Sequence, residues 1–299
     1  MVWAWAVHKE GALLTRLEEA YQYCAQVTRH YENFQVVSRF VPRALRPHFC
    51  ALYAYCRGVD DLGDEWQGDR LQALAEWERQ LRLCFTGQPD ALVFVALQDT
   101  IRRFDLPEEP FLRLIEANRR DQTVHRYHTW EELRDYCRCS ADPVGRLVLA
   151  LFGYRDEERQ RLSDDICTAL QLVNFLQDVG RDLEMGRIYL PLSDLAQFGT
   201  SVEELLHDYR RGRMNPRLRR CIAFECERAE ALFRSGARLE RMVPFRLSLQ
   251  LRLYRLGGQA VLQALRRQGY DPFLRRPTVG PAAKAWLACR ALFTIAPRR

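Results

Sequence analysis

The sequence predicts an all-α protein folded as a single helical domain, and three observations predict it. Apolar residues recur at three- and four-residue intervals through almost the whole chain, the spacing that lines one face of a helix. Alternating apolar and polar runs, which build half-buried strands, are absent. The stretches between periodic segments are short and no long linker divides the 299 residues, so helix packing on helix is what buries the apolar faces.

Taken in order, residues 1–11 read as a flexible N-terminal extension, and periodicity places helices at 12–27, 47–65, 70–85, 90–104 and 108–121. Gly87-Gln-Pro89 and Leu106-Pro107 separate the later ones, because glycine and proline break the helical hydrogen-bond pattern. Further helices are expected at 130–152, 156–184, 202–209, 218–242, 247–268 and 281–293. Thr129 with Glu132, and Ser201 with Glu204, have the spacing of capping boxes at two of the starts. Gly269-Tyr-Asp-Pro272 ends the helix before the last.

Composition narrows the class. A hydrophobic fraction of 47% supplies a sizeable core. No run of about 18 apolar residues argues for a membrane-spanning helix, and the N-terminal MVWAWAV is too short, and lacks the basic lead-in, for a signal peptide. The expected location is therefore the cytoplasm, with peripheral membrane contact left open. Ten cysteines without a CxxC pair, and six scattered histidines, read as reduced core fillers and not as disulfides or a zinc site. The net charge of +6 is uneven: residues 246–299 hold eleven basic side chains against the single acid Asp271, leaving the rest slightly acidic. Such a region suits anionic lipid or an anionic substrate, or is a plain solvated surface. No interleaving of basic and aromatic residues points to nucleic acid.

The chemistry-bearing feature is a repeated acidic pair. Asp60 and Asp64 lie in YAYCRGVDDLGDE (53–65), and Asp178 and Asp182 in QLVNFLQDVGRD (171–182). Helix residues four apart are neighbours, with Cβ atoms roughly 5–6 Å apart, so each pair is a small carboxylate clamp. A solvated helix face explains one such pair. Two pairs, each in apolar sequence and each near an arginine (Arg57, Arg181), argue for an acidic site binding hard divalent cations. Gln171, Asn174, Asp178 and Asp182 share one stripe, while Leu172, Val173, Phe175, Leu176 and Val179 cover the rest of the helix. Mg2+ typically takes one or two carboxylates plus substrate phosphate, and arginine suits phosphate oxygens. Spacing does not choose between Asp60/Asp64 and the overlapping pair Asp61/Glu65. Asp164-Asp165 reads as exposed, and His125 and His128 as loop residues without a third histidine to complete a metal site.

These residues carry a resemblance. Residues 53–65 resemble the first aspartate-rich motif of the squalene/phytoene synthase family. Residues 171–182 followed by RIYLP (187–191) resemble its second, and YCRCSADPVG (136–145) the signature between them. HYENF (30–34) and VSRFVP (37–42) are most similar to the bacterial hydroxysqualene synthase branch, associated with hopanoid synthesis. The resemblance implies an isoprenoid-synthase-type helical bundle around a central cavity. It implies Mg2+ held by Asp60, Asp64, Asn174, Asp178 and Asp182, and a prenyl diphosphate contacted by Arg57, Arg181, His30, Arg187 and Gln171. Tyr136, Tyr254 and Arg57 are the implied catalytic residues, the two tyrosines lining the cavity. The implied reaction is conversion of presqualene diphosphate to hydroxysqualene. Head-to-head condensation of two prenyl diphosphates is the alternative, and a non-catalytic assembly factor, whose clamps would be eroded, is less favoured. Other enzymes of squalene and hopanoid synthesis are the implied partners. Residues 282–296 fit a helix on a membrane surface or, preferred, one closing the domain. Cys167, Gln177 and Asp142 depart from the family pattern.

Overall fold

The computed structural model describes residues 2–29, 41–280, 286–287 and 291, with side chains from Thr15 onward. His30, most of the HYENF and VSRFVP motifs and most of residues 281–293 lie outside the described residues. Within them every regular element is helical. The one β feature is an isolated parallel bridge between Arg126 and Ile188. No described helix is long and apolar enough to cross a membrane. The helices form two compact units, residues 1–122 with 146–155 and residues 123–145 with 156–299.

Unit 1 contains α1 (Val2–Arg29), α2 (Arg46–Asp64), α3 (Arg70–Thr86), α4 (Leu92–Phe104) and α5 (Glu109–Arg120), and the larger part of α7 (Asp142–Leu151). Its centre is aromatic. Tyr55 meets Phe111 edge-on at 5.2 Å and donates its hydroxyl to the Phe111 carbonyl at 2.9 Å, while Trp77 and Phe94 pack at 4.6 Å. Gly58 lets α2 approach Trp77, since a Cβ there would stand 2.3 Å from the indole ring. A polar tie joins α1, α2 and α4. The Tyr21 hydroxyl donates to Asp99 (2.7 Å) and the Thr100 hydroxyl to the Ala96 carbonyl (2.9 Å). His48 Nδ1, 3.0 Å from both hydroxyl oxygens, must therefore carry the proton they share. Burial holds His48 below the usual histidine range, in keeping with a neutral ring.

Unit 2 contains α6 (Trp130–Ser140), the first turn of α7, α8 (Glu157–Glu184), α9 (Leu192–Gln197), α10 (Val202–Arg210), α11 (Pro216–Gly236) and α12 (Phe245–Arg267). The 28-residue α8 packs chiefly on α11. The two come close at Gly236, where a Cβ would stand 2.4 Å from an Ile166 side-chain carbon. Both expected caps form: Thr129 accepts from the Glu132 amide and Ser201 from the Glu204 amide.

The elements depart from expectation in four places. The first helix starts at Val2, since residues 2–10 contain neither proline nor glycine. The expected 130–152 helix divides at Ala141, because the Asp142 carboxylate turns inward to Arg134 (2.7 Å) and Thr168 (2.9 Å) and Pro143 offers no backbone donor. The 218–242 helix ends at Gly236 and continues as the 3-10 turn Ala237–Arg241. Leu192–Gln197 forms a short unanticipated helix. Asp164 is buried, not exposed as its polar neighbours imply. The nine described cysteines are free thiols, most of them buried.

Candidate active site

The first aspartate motif ends α2. Its overlapping acids meet different groups: Arg57 holds Asp61 and Glu65, while Asp60 meets Asn118. The Arg57 guanidinium holds Asp61 at 2.5 Å and Glu65 at 2.8 Å. Asp60 instead accepts a long hydrogen bond from the side-chain amide of Asn118, on α5 (3.4 Å). Solvent reaches Asp60, yet protein atoms crowd it. That desolvation, with Asp64 adding repulsion, pushes its carboxyl up to about 7 against the lowering by Asn118 and Arg57. Gly63 makes the α5 approach possible: a Cβ there would stand 2.0 Å from the side-chain amide oxygen of Asn118. Gln122 completes the contact by donating to the carbonyls of Gly63 (3.0 Å) and Asn118 (2.9 Å). Arg57, expected at a phosphate, is thus engaged by Asp61 on its own helix and by Glu65 at the helix's C-terminal cap.

The second motif lies near the end of α8. Leu172, Val173, Phe175, Leu176 and Val179 are buried, whereas Asn174 is exposed and Gln171, Asp178 and Asp182 are half-buried. The polar stripe is therefore a solvent-reachable edge on an otherwise buried helix. At Asp178 the backbone leaves helical geometry (φ −109°, ψ 15°). Its carboxylate receives Arg276 in a two-point contact, Nε to Oδ1 at 2.6 Å and Nη2 to Oδ2 at 2.8 Å. Arg181 stands 3.7 Å from the same carboxylate. Asp182, the buried Arg187, Phe175 and Tyr189 line one small crevice.

Tyr136 is buried among rings. It packs on Tyr127 (5.3 Å), Tyr189 (5.7 Å) and Phe175 (6.3 Å), and Phe175 stacks on Tyr189 at 4.0 Å. Main-chain bonds hold the 125–128 segment against 188–193, including Ile188 N–H to the His125 carbonyl (2.8 Å) and Leu192 N–H to the Tyr127 carbonyl (3.0 Å). Tyr254 is different. It is 41% exposed on α12, between Arg252 and Arg255, which both bind the buried Glu240.

The departures from the family pattern have local reasons. Asp142 is the buried partner of Arg134 and Thr168. Cys167 faces Gly145, where a Cβ would stand 2.6 Å from its sulfur, so helix α7 passes close to α8 at this point. Gln177 donates its amide to the Pro277 carbonyl at 2.5 Å. Asn118, Gln122 and Arg276 carry no local pattern that marks them. Tyr189, in RIYLP, does stand within a recognisable signature.

The donor set fits a hard cation: it is carboxylate and amide oxygen, and a guanidinium already stands where a cation would bind Asp178. Among the described residues no three His, Cys, Asp or Glu side chains cluster closely enough to hold a metal ion. A pair of this kind would supply one or two ligands, with water and phosphate to supply the remainder, the arrangement Mg2+ usually takes.

The squalene/phytoene synthase family model matches residues 27–283. The chain belongs to the squalene/phytoene synthase family. Among solved structures it is 60% identical to the squalene synthase HpnC from Alicyclobacillus acidocaldarius, covering 86% of this chain and 97% of that one with a TM-score of 0.82. A dehydrosqualene synthase, 24% identical over 94% of this chain and 98% of its own, has the same fold at a TM-score of 0.84. The 15-cis-phytoene synthase of Synechocystis sp. is 35% identical over 92% of this chain and 87% of its own length. The expected all-α fold of squalene synthase-type enzymes is thereby established, as is the likeness to a squalene synthase.

Proposed function

We propose that this family member converts presqualene diphosphate to hydroxysqualene, with Mg2+ as cofactor, in squalene and hopanoid biosynthesis. The observation that favours a squalene-type over a phytoene-type enzyme is the 60% identity to the squalene synthase HpnC, against 35% to a phytoene synthase. The choice of hydroxysqualene rests on the sequence resemblance to the hydroxysqualene synthase branch. The motifs that carry that resemblance are HYENF and VSRFVP. Asp60, Asp64, Asn174, Asp178 and Asp182 are the residues to hold Mg2+. When bound, Mg2+ neutralises charge developing on the departing diphosphate. Arg181, Arg187, Gln171 and His30 offer donors to phosphate oxygens, while Arg57 would first have to leave Asp61 and Glu65. The carbon–oxygen bond to diphosphate breaks, and a water oxygen bonds to the rearranged carbocation as its proton leaves with the diphosphate. The faces of Tyr136 and its ring neighbours favour a passing cation, and Tyr254 is the second aromatic assigned to this role. Exposed Leu274 and Trp286, in the basic C-terminal region, and Phe245 just before it favour peripheral contact with an anionic membrane surface.

Incubating the purified protein with presqualene diphosphate and Mg2+, without NADPH, tests the proposal. Hydroxysqualene is expected; squalene, or no consumption, contradicts it. The phytoene synthase relatives favour a second reading, head-to-head condensation. Supplying farnesyl and geranylgeranyl diphosphate separately separates the two: a condensation product from either, with presqualene diphosphate left intact, selects the second.

A further inference from the structure

The single acid of the basic C-terminal region has a structural purpose. Asp271 is fully buried, and its carboxylate accepts from the amides of Met214 (3.0 Å) and Phe273 (3.2 Å) and from the Arg219 guanidinium (2.9 Å). The Gln268 side-chain amide donates to the Asp271 and Arg275 carbonyls, each at 3.1 Å. Six residues after Asp271, Pro277 is buried and its carbonyl is fastened to Gln177 on α8. Residues 271–277 are thus a strap pinned at both ends, and Arg276 is presented from its second anchor to Asp178.

The contact uses both carboxylate oxygens of Asp178. These are the atoms a divalent cation would take, and two cations in contact with one carboxylate repel each other. Asp178 also stands at the one residue where α8 leaves helical geometry, directly after the Gln177 anchor. We propose that the strap is a latch: Arg276 is the counter-ion of Asp178 in the metal-free protein, and a divalent cation must displace it. Affinity for the metal at the second aspartate pair is then set by this competition, and occupancy of the site is relayed to the strap. The proposal rests on the assignment of Asp178 as a metal ligand. Asp60, bonded by the neutral Asn118 amide, illustrates the alternative arrangement.

The test is titration of the full-length protein with Mn2+ alone, followed by electron paramagnetic resonance, with amide exchange measured over residues 271–280. R276Q should bind Mn2+ about fivefold tighter, the factor that breaking one well-formed surface pair corresponds to, and R276K should fall between R276Q and wild type. D178N should weaken binding and abolish the effect of R276Q in the double variant. Exchange in the strap should accelerate when Mn2+ is added to wild type, and R276K, which keeps the charge, guards against a folding defect in R276Q. Unchanged or weaker binding by R276Q, with D178N still impaired, overturns the latch alone. Wild-type affinity in D178N removes the ligand assignment and the latch with it.

Discussion

On α2 the arginine that meets the aspartate motif comes from the same helix, whereas on α8 the short two-point contact comes from 98 residues downstream and Arg181 of the same helix stands farther off, at 3.7 Å. Arg57 gathers Asp61 and Glu65 on one side of α2 and leaves Asp60 to a neutral amide. Arg276 arrives on a strap and takes Asp178 itself. The same four-residue spacing therefore produces two electrostatic situations. One pair is set apart by local charge pairing, and the other is matched by a remote cation. What an acidic pair can bind depends on which cations reach it, and spacing alone does not reveal that.

The largest expected effect treats the pairs as equals. D60N and D178N should each lower turnover of the true substrate by about a hundredfold or more, with an unchanged circular dichroism spectrum. Retained turnover in one of them would restrict the metal assignment to the other helix. The next probes support around a ligand. N118A should lower activity by about tenfold, as loss of a residue that orients a ligand commonly does. A change below twofold would mean that Asp60 does not depend on α5.

Packing beside the pairs is tested by G63A and G145A. A Cβ at Gly63 meets Asn118 at 2.0 Å, and at Gly145 it meets the Ser163 hydroxyl at 2.3 Å. Each should cost about 1–3 kcal/mol in urea unfolding, and G63A should also lower activity because it displaces Asn118. Stability loss without activity loss in G63A would separate packing from the site.

The smallest effect concerns a carboxyl that serves as a contrast to both pairs. Burial, helped by a hydrogen bond with Asp194, pushes Glu225 up to about 8 despite the neighbouring Arg228. A carboxyl raised in the folded state favours the folded protein fully only below its ordinary value of 4.5, and that contribution is lost as pH rises towards 8. E225Q should therefore melt higher than wild type above pH 8, and the gain should shrink as pH falls. A gain independent of pH would assign the effect to packing.

Much of the fold is legible in the sequence because helical periodicity is local: the Thr129 and Ser201 caps, the long α8 and the polar stripe on it follow from residues within a turn or two of each other. The break at Ala141 is less legible, because it depends on Asp142 reaching Arg134 and Thr168 on other helices. The aspartates stand out for the same local reason. Asn118, Gln122 and Arg276 do not, since each meets its motif only through tertiary folding. Spacing does not separate Asp60/Asp64 from Asp61/Glu65, which are equally spaced, and the pairing of Arg57 with Asp61 and Glu65 is a difference between them that spacing does not contain.

The most direct test of the proposed activity follows the oxygen atom. Purified protein given presqualene diphosphate and Mg2+ in water enriched in oxygen-18, without NADPH, should yield hydroxysqualene carrying one labelled oxygen per molecule. An unlabelled alcohol, or a hydrocarbon product, would contradict capture of the carbocation by water.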